Sequence, residues 1–187
     1  MIEGRDALVY KQLQGESLST PTIDEVSQIA IFLKEFHSYS KGMKSSNEML
    51  YSIDRLSSLI YYTDYTPLIK HLDRVDIELN QDGIIHGDLF VDNAKFIDGK
   101  LSGVYDFCDA CVGDFLFELA VVAISWCYIG EELDIKRVER LLLEYNNPIS
   151  YREFKPYIHY ALLYYATTRY IANRDYRELL FRLDRLV

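Results

Sequence analysis

The stretch His86-Gly87-Asp88-Leu89-Phe90-Val91-Asp92-Asn93, followed by Tyr105-Asp106-Phe107, decides how this chain is read. Between the two lie Ala94 to Ile97 and Lys100 to Tyr105, both of strand composition. They are joined by Asp98-Gly99, a residue pair suited to the tight turn of a β-hairpin. A loop bearing one carboxylate and one amide is thus followed by a hairpin whose far end bears a second carboxylate.

Each piece alone is ordinary, since a lone His-x-Asp or Asp-Phe is usually a turn residue or a cap. Together they match a pattern that serves phosphoryl transfer: His-x-Asp, an Asn five residues after the Asp, then an Asp-Phe pair closing a hairpin. That reaction needs a carboxylate to orient and deprotonate the acceptor hydroxyl, and metal ions to bridge the phosphates. On this reading Asp88 is the base. Asn93 lends its side-chain oxygen to Mg²⁺, and Asp106 gives a carboxylate oxygen to the same or a second Mg²⁺. His86 is expected to buttress the loop rather than titrate, and Leu89 and Phe90 to point into the core and fix it, because a general base works only at hydrogen-bond distance.

Working outward, the rest of the chain is helical in pattern. Upstream, Thr22-Ile23-Asp24-Glu25 offers a capping box, and Val26, Ile29, Ala30, Leu33 and Phe36 predict a helix that ends near Gly42. Residues 41–47 read as a loop. Leu50, Ile53, Leu56 and Ile60 suggest a second helix, and Pro67 opens a third that carries Leu68, Leu72, Val75 and Leu79. A short β-rich piece, Gly83 to His86, leads into the loop. Downstream, Asp114 is a helix N-cap, Asp134 and Ser150-x-x-Glu153 start two more helices with Asn147-Pro148 as the break, and a last helix runs from about Asp175 to Leu186. The expected class is α+β, mostly helical, with one small β-hairpin set into the body and no internal repeat or linker.

Composition narrows the partners. The 187 residues are 49% hydrophobic, ordinary for a globular core, and carry a formal net charge of -9. With no Lys/Arg cluster, nucleic acid and anionic membranes are excluded as partners, and a cationic or neutral small-molecule substrate fits better. Three cysteines make no disulfide framework and no charged-then-apolar leader is recognisable, so a reducing cytoplasm is expected. The longest apolar run, Phe115 to Ile129, is interrupted by Glu118 and reads as a buried helix rather than a membrane span.

The string from Ile85 to Cys127 resembles the homoserine kinases of the aminoglycoside-phosphotransferase-like superfamily. The residues that carry the resemblance are His86 to Asn93, Leu101-Ser102-Gly103-Val104-x-Asp106-Phe107, Ala110-Cys111, Leu119-Ala120 and Trp126-Cys127. It extends more weakly to Leu13-x-Gly15-x-Ser17-Leu18 and Pro21-Thr22. The resemblance implies a two-lobed protein-kinase-like fold, ATP and Mg²⁺ as cofactors, and phosphorylation of the L-homoserine hydroxyl on the way to threonine. It assigns the base to Asp88 and metal ligation to Asn93 and Asp106. Other members of the superfamily act on aminoglycosides, choline or related alcohols through the same three residues, so the loop speaks for the reaction and the flanks for the acceptor. From a different class, a non-catalytic binding or scaffold domain is the alternative.

Two departures from the pattern stand out. Cys108 occupies the position of the glycine that follows Asp-Phe in protein kinases. No Gly-rich loop followed by a strand Lys precedes Leu8, so the chain is expected to be the C-terminal lobe of the kinase-like fold, with the β-rich N-terminal lobe absent. It would divide into a hinge-strand remnant, residues 1–14, and a helical catalytic lobe, residues 15–187. Backbone groups around Lys11, Gln12 and Leu13 would then meet the adenine edge of ATP.

Other residues invite weaker readings. Cys108-x-x-Cys111 lacks the context for redox chemistry and the ligand number for zinc. Asp109 is either a plain loop residue or, facing the cleft, a partner for the ammonium of an amino-acid substrate. His37 reads as a C-terminal helix cap, and His71 and His159 as surface or core residues. Tyr157, Tyr160, Tyr164, Tyr165 and Tyr170 recur at helical spacing and read as packing, with Arg169 and Arg174 beside them available to a substrate carboxylate. Trp126 is expected to be buried.

Overall fold

Thr22 opens the first helix by the reciprocal bonds its sequence predicts. Its hydroxyl accepts the Glu25 N–H, while the Glu25 carboxylate accepts the Thr22 N–H at 2.7 Å. In the computed structural model, which describes residues 12–45 and 49–186, this helix is α1 (Ile23–Ser40). Most of the expected strand from Ala7 to Leu13 lies outside the described residues. Helix α2 (Ile53–Thr63) starts at Ser52, and α3 (Thr66–Leu72) carries Pro67 in its first turn, where a missing N–H costs nothing.

Helix α3 is shorter than predicted. It stops at Leu72, and Val75, Ile77 and Leu79 are half-buried while Asp76 and Glu78 are exposed. Burial with a period of two belongs to an extended segment, and β-branched residues alternating with acids favour it over a further helical turn.

The β-structure is also richer than the single hairpin expected. The described residues hold three two-stranded antiparallel sheets. Strand β1 (Gly83–Ile85) leads into the His86–Asn93 loop, and β2 (Ala94–Ile97) and β3 (Lys100–Val104) form the predicted hairpin about Asp98-Gly99, both at positive φ. After Asp106, β4 (Cys111–Gly113) returns to pair with β1, setting Ile85 opposite Cys111. That pairing gathers the site: the residues after Ile85 and those before Cys111 emerge side by side, bringing Asp88 and the Asp106–Asp109 turn to one place.

Asp114 then caps α4 (Phe115–Trp126), its Oδ1 accepting the N–H groups of Leu116 at 2.7 Å and Phe117 at 3.0 Å. This helix is apolar on every side and lies in the middle of the core against α5 (Ile135–Tyr145) and α6 (Tyr151–Ile171). A small hairpin, β5 (Tyr128–Ile129) and β6 (Glu132–Leu133), joins α4 to α5, whose other face packs on α1. Helix α7 (Arg177–Leu186) closes the chain against α6. Trp126 and Tyr160 are fully buried, Tyr164 and Tyr165 are buried, and Tyr157 and Tyr170 are half-buried against the core, so the tyrosine row is packing as expected. His71 and His159 are core residues: they meet at 3.2 Å, and Asp184 of α7 accepts from His71 at 3.0 Å.

Candidate active site

Gly87 is the pivot of the loop. Its φ of +82° is one that glycine adopts without strain, and a Cβ there would lie 2.4–2.6 Å from the hydroxyl and ring atoms of Tyr51. The Gly87 N–H donates to Glu118 Oε1 at 2.8 Å, and its carbonyl accepts from the Tyr165 hydroxyl. Further along, the Leu89 carbonyl accepts the Trp126 indole N–H at 3.0 Å and the Val91 N–H donates to Ser125 Oγ at 3.0 Å. Three α4 side chains, at positions 118, 125 and 126, therefore hold the loop along one face of a buried helix.

His86 buttresses the loop as its sequence context suggests. Its Nδ1 accepts the Asp88 N–H at 3.2 Å, which leaves Nε2–H to donate to the Tyr105 carbonyl at 2.8 Å. One buried imidazole thereby ties the backbone of Asp88 to the residue just before Asp106. Leu89 is buried, as expected. Phe90 is only half-buried, its ring edge-to-face with Tyr165 and beneath the Arg169 guanidinium.

Asp88 and Asn93 are in contact. The Asn93 Nδ2 donates to the Asp88 carbonyl at 2.7 Å and lies 3.4 Å from its Oδ2, so the amide oxygen is the end left for another partner. Asp106 is exposed and sits at φ +64°, a left-handed conformation that costs a non-glycine residue energy and recurs at functional sites. Burial lifts the Asp88 carboxyl to about 6; the charge of Asp109 adds to this, His86 opposes it, and Asp92 and Asp106 raise it further. Four carboxylates thus share one small region.

No three His, Cys, Asp or Glu side chains among the described residues form a protein-only metal cage. Mg²⁺ needs none, because it is commonly held by one or two carboxylates, waters and substrate phosphates. The oxygen-only donors at Asn93 and Asp106 fit that ion, and their negative neighbourhood is one that a cation relieves. The cysteines are free: Cys108 is exposed, its thiol pushed up by hydrogen bonding to Asp106, while Cys111 and Cys127 are buried.

Of the residues expected at the nucleotide, Lys11 lies outside the described residues. Gln12 is exposed, and its carbonyl is 3.5 Å from the Gln14 amide; the Leu13 side chain rests on Gly103 of β3. Just beyond, Glu16 exchanges backbone hydrogen bonds with Phe96, and Ser17 Oγ lies 3.0 Å from the Asp92 carbonyl. The segment that follows residue 11 is therefore laced to the hairpin next to Asn93.

Sequence reasoning missed the Glu118 support. His37 does not act as a helix cap. Its ring is buried, stacked on Phe115, with Nε2 on Glu118 Oε2 and Nδ1 2.8 Å from the Tyr145 hydroxyl. The signal was a single carboxylate inside an otherwise apolar helix, which is rarely buried without partners. Asp114, by contrast, is the cap expected of it, and its second oxygen accepts the Asn80 N–H at 2.7 Å.

Residues 1–157 match the family model described as "Phosphotransferase enzyme family". Among curated relatives, the homoserine kinase of Xanthobacter autotrophicus is 50% identical over an alignment of 142 residues, the match covering 68% of this chain and 44% of that protein. The chain spans under half the length of the curated relatives it matches. Among solved structures, the GDP complex of aminoglycoside 2'-phosphotransferase-IIIa has a TM-score of 0.64 at 16% identity, covering 95% of this chain and 69% of that one. An amicoumacin kinase in complex with AMP-PNP and Ca²⁺ has a TM-score of 0.64 at 14% identity, covering 95% and 62%. At such identities the likeness is one of fold, the mostly helical α+β arrangement that these kinases share.

Proposed function

The chain belongs to the phosphotransferase enzyme family, and on that premise we propose that it carries the catalytic groups of an ATP-dependent kinase whose acceptor is L-homoserine. The observation that carries this is the convergence of Asp88, Asn93 and Asp106 on one loop and one hairpin end, held by His86 and by three side chains of α4. Asp88 would accept the hydroxyl proton of the acceptor as that oxygen attacks the terminal phosphorus of ATP, whose bond to the bridging oxygen breaks so that ADP leaves. The Asn93 oxygen and the Asp106 carboxylate would hold Mg²⁺, which would supply positive charge to offset that of the phosphates. Residues 1–14, with backbone groups of Lys11, Gln12 and Leu13, would serve as the hinge against the adenine, and residues 15–187 as the catalytic lobe.

Homoserine is favoured over other alcohols because the curated relatives of this chain bear that name, whereas the aminoglycoside and amicoumacin kinases share its fold at low identity. O-phosphohomoserine would be the product, in a route to threonine, and three free cysteines suit a reducing cytoplasm. The test is ADP release by the whole protein with MgATP and a panel of homoserine, choline and an aminoglycoside. Turnover of homoserine well above the others is expected. Robust turnover of choline or the aminoglycoside with none of homoserine would overturn the assignment.

A further inference from the structure

One positive charge beside the loop has no carboxylate partner among the described residues. Arg169 lies one turn past Tyr165 on α6, and Tyr165 is the residue whose hydroxyl bonds Gly87. Its guanidinium sits over the Phe90 ring, 5.6 Å from the centroid, and the side chain is half-buried. No acidic residue among the described ones pairs with it, although the chain holds 29 Asp and Glu against 20 Lys and Arg. Drawing a cation partly out of water without an anion is unfavourable. A ring beneath a guanidinium fixes its plane and leaves its edge N–H groups free to grip a carboxylate in two parallel bonds.

An opposite charge also acts on this loop. Asp109 is exposed in the turn between Asp106 and β4, and no Lys or Arg among the described residues pairs with it. Its field reaches Asp88, Tyr51 and Tyr164, the side chains that surround the same loop. An unpaired anion thus acts on Asp88, and an unpaired cation lies over Phe90, two residues further along the same loop.

We infer that Arg169 and Asp109 are the specificity-determining pair, binding the α-carboxylate and the α-ammonium of a free amino-acid acceptor and leaving its side-chain hydroxyl to Asp88. This rests on the kinase function proposed above and names how its acceptor is chosen. A zwitterion satisfies both charges at once. A purely cationic alcohol meets Asp109 but is repelled by Arg169, so the pair selects against it as well as for the amino acid.

Steady-state kinetics of the whole protein with three acceptors tests the pair: homoserine, 3-aminopropan-1-ol, which lacks the carboxylate, and 4-hydroxybutyrate, which lacks the ammonium. Arg169→Met, which keeps the aliphatic packing on Phe90, is expected to raise KM for homoserine and 4-hydroxybutyrate by roughly 10–100-fold, the scale of a lost charge-assisted bond. Its kcat should stay near wild type, and KM for 3-aminopropan-1-ol should fall, because the repulsion is removed. Arg169→Lys should recover part of the loss. Asp109→Asn should raise KM for homoserine and 3-aminopropan-1-ol and spare 4-hydroxybutyrate. Equal effects on all three acceptors, or changes in kcat alone, would overturn the pair while the kinase function stood. A wild-type protein that phosphorylates choline and not homoserine would instead remove the function on which the pair depends.

Discussion

Glu118, fully buried within α4, accepts the Gly87 N–H at 2.8 Å and meets the buried His37 ring with its other oxygen. The loop that carries Asp88 therefore hangs from the interior of a core helix. A carboxylate so deep is tolerable only with both oxygens engaged. Glu118→Ala leaves the Gly87 N–H and the imidazole without an acceptor and should cost about 3–5 kcal/mol, the range for breaking a buried pair from one side. Glu118→Gln keeps one acceptor and should cost about 1–2 kcal/mol. Urea unfolding would rank the three proteins; an Ala variant with the wild-type midpoint would show that the contact contributes nothing.

Gly87 itself allows no side chain. The left-handed backbone costs a residue such as alanine about 1–2 kcal/mol, and the new methyl must displace the Tyr51 ring, which overpacking studies put at about 1–3 kcal/mol. Gly87→Ala should therefore lose about 2–5 kcal/mol in all. Thermal unfolding measures the sum. A loss below about 1 kcal/mol would mean that the ring moves aside freely and that the loop is softer than its contacts imply.

What was legible in the chain was what is local. The Thr22–Glu25 and Ser150–Glu153 capping boxes, the Asp98-Gly99 turn and the Asp88-to-Asn93 interval each lie within a few residues, and each is where the sequence puts it. What was not legible depends on partners distant in sequence. Strand β4 has three residues and no pattern of its own; it exists because Ile85 meets Cys111 across the sheet. The partner of Glu118 is a backbone N–H, which carries no signal, and His37 joins only through α1 packing near α4 and α5. At Val75 to Leu79 the period of two is present in the sequence, but the spacing of Leu68, Leu72, Val75 and Leu79 fits a helix as well.

Asp106 separates stability from nucleotide binding. It is exposed and left-handed, a conformation that asparagine tolerates as well as aspartate does. Asp106→Asn should thus unfold within about 0.5 kcal/mol of wild type. If the carboxylate ligates Mg²⁺, the same variant should lose the metal-dependent part of nucleotide binding by the whole protein. Calorimetric titration with ATP, with and without Mg²⁺, reads this directly. An unchanged Mg²⁺ dependence would remove Asp106 from the metal site.

Asp88 should show function held against stability. Burial, with Asp109 beside it, lifts its carboxyl from the ordinary 3.8 to about 6, so the fold prefers the protonated acid. That preference is fully present below pH 4 and is lost as the pH rises through 6. At pH 8 the metal-free wild type carries an ionised carboxylate that its surroundings disfavour by about 1–2 kcal/mol, after allowance for the screening that a partly exposed group enjoys. Asp88→Asn has nearly the same shape and no charge, so the metal-free variant should melt a few degrees higher than wild type at pH 8 and together with it at pH 4. Mg²⁺ with nucleotide should narrow the gap, because added positive charge favours the ionised form. Turnover should fall by roughly 10²–10⁴-fold in the same variant, the usual loss of a general base. The two readouts are independent. A variant less stable than wild type at pH 8 would mean that the ionised carboxylate is well accommodated, and undiminished turnover would mean that some other group takes the proton.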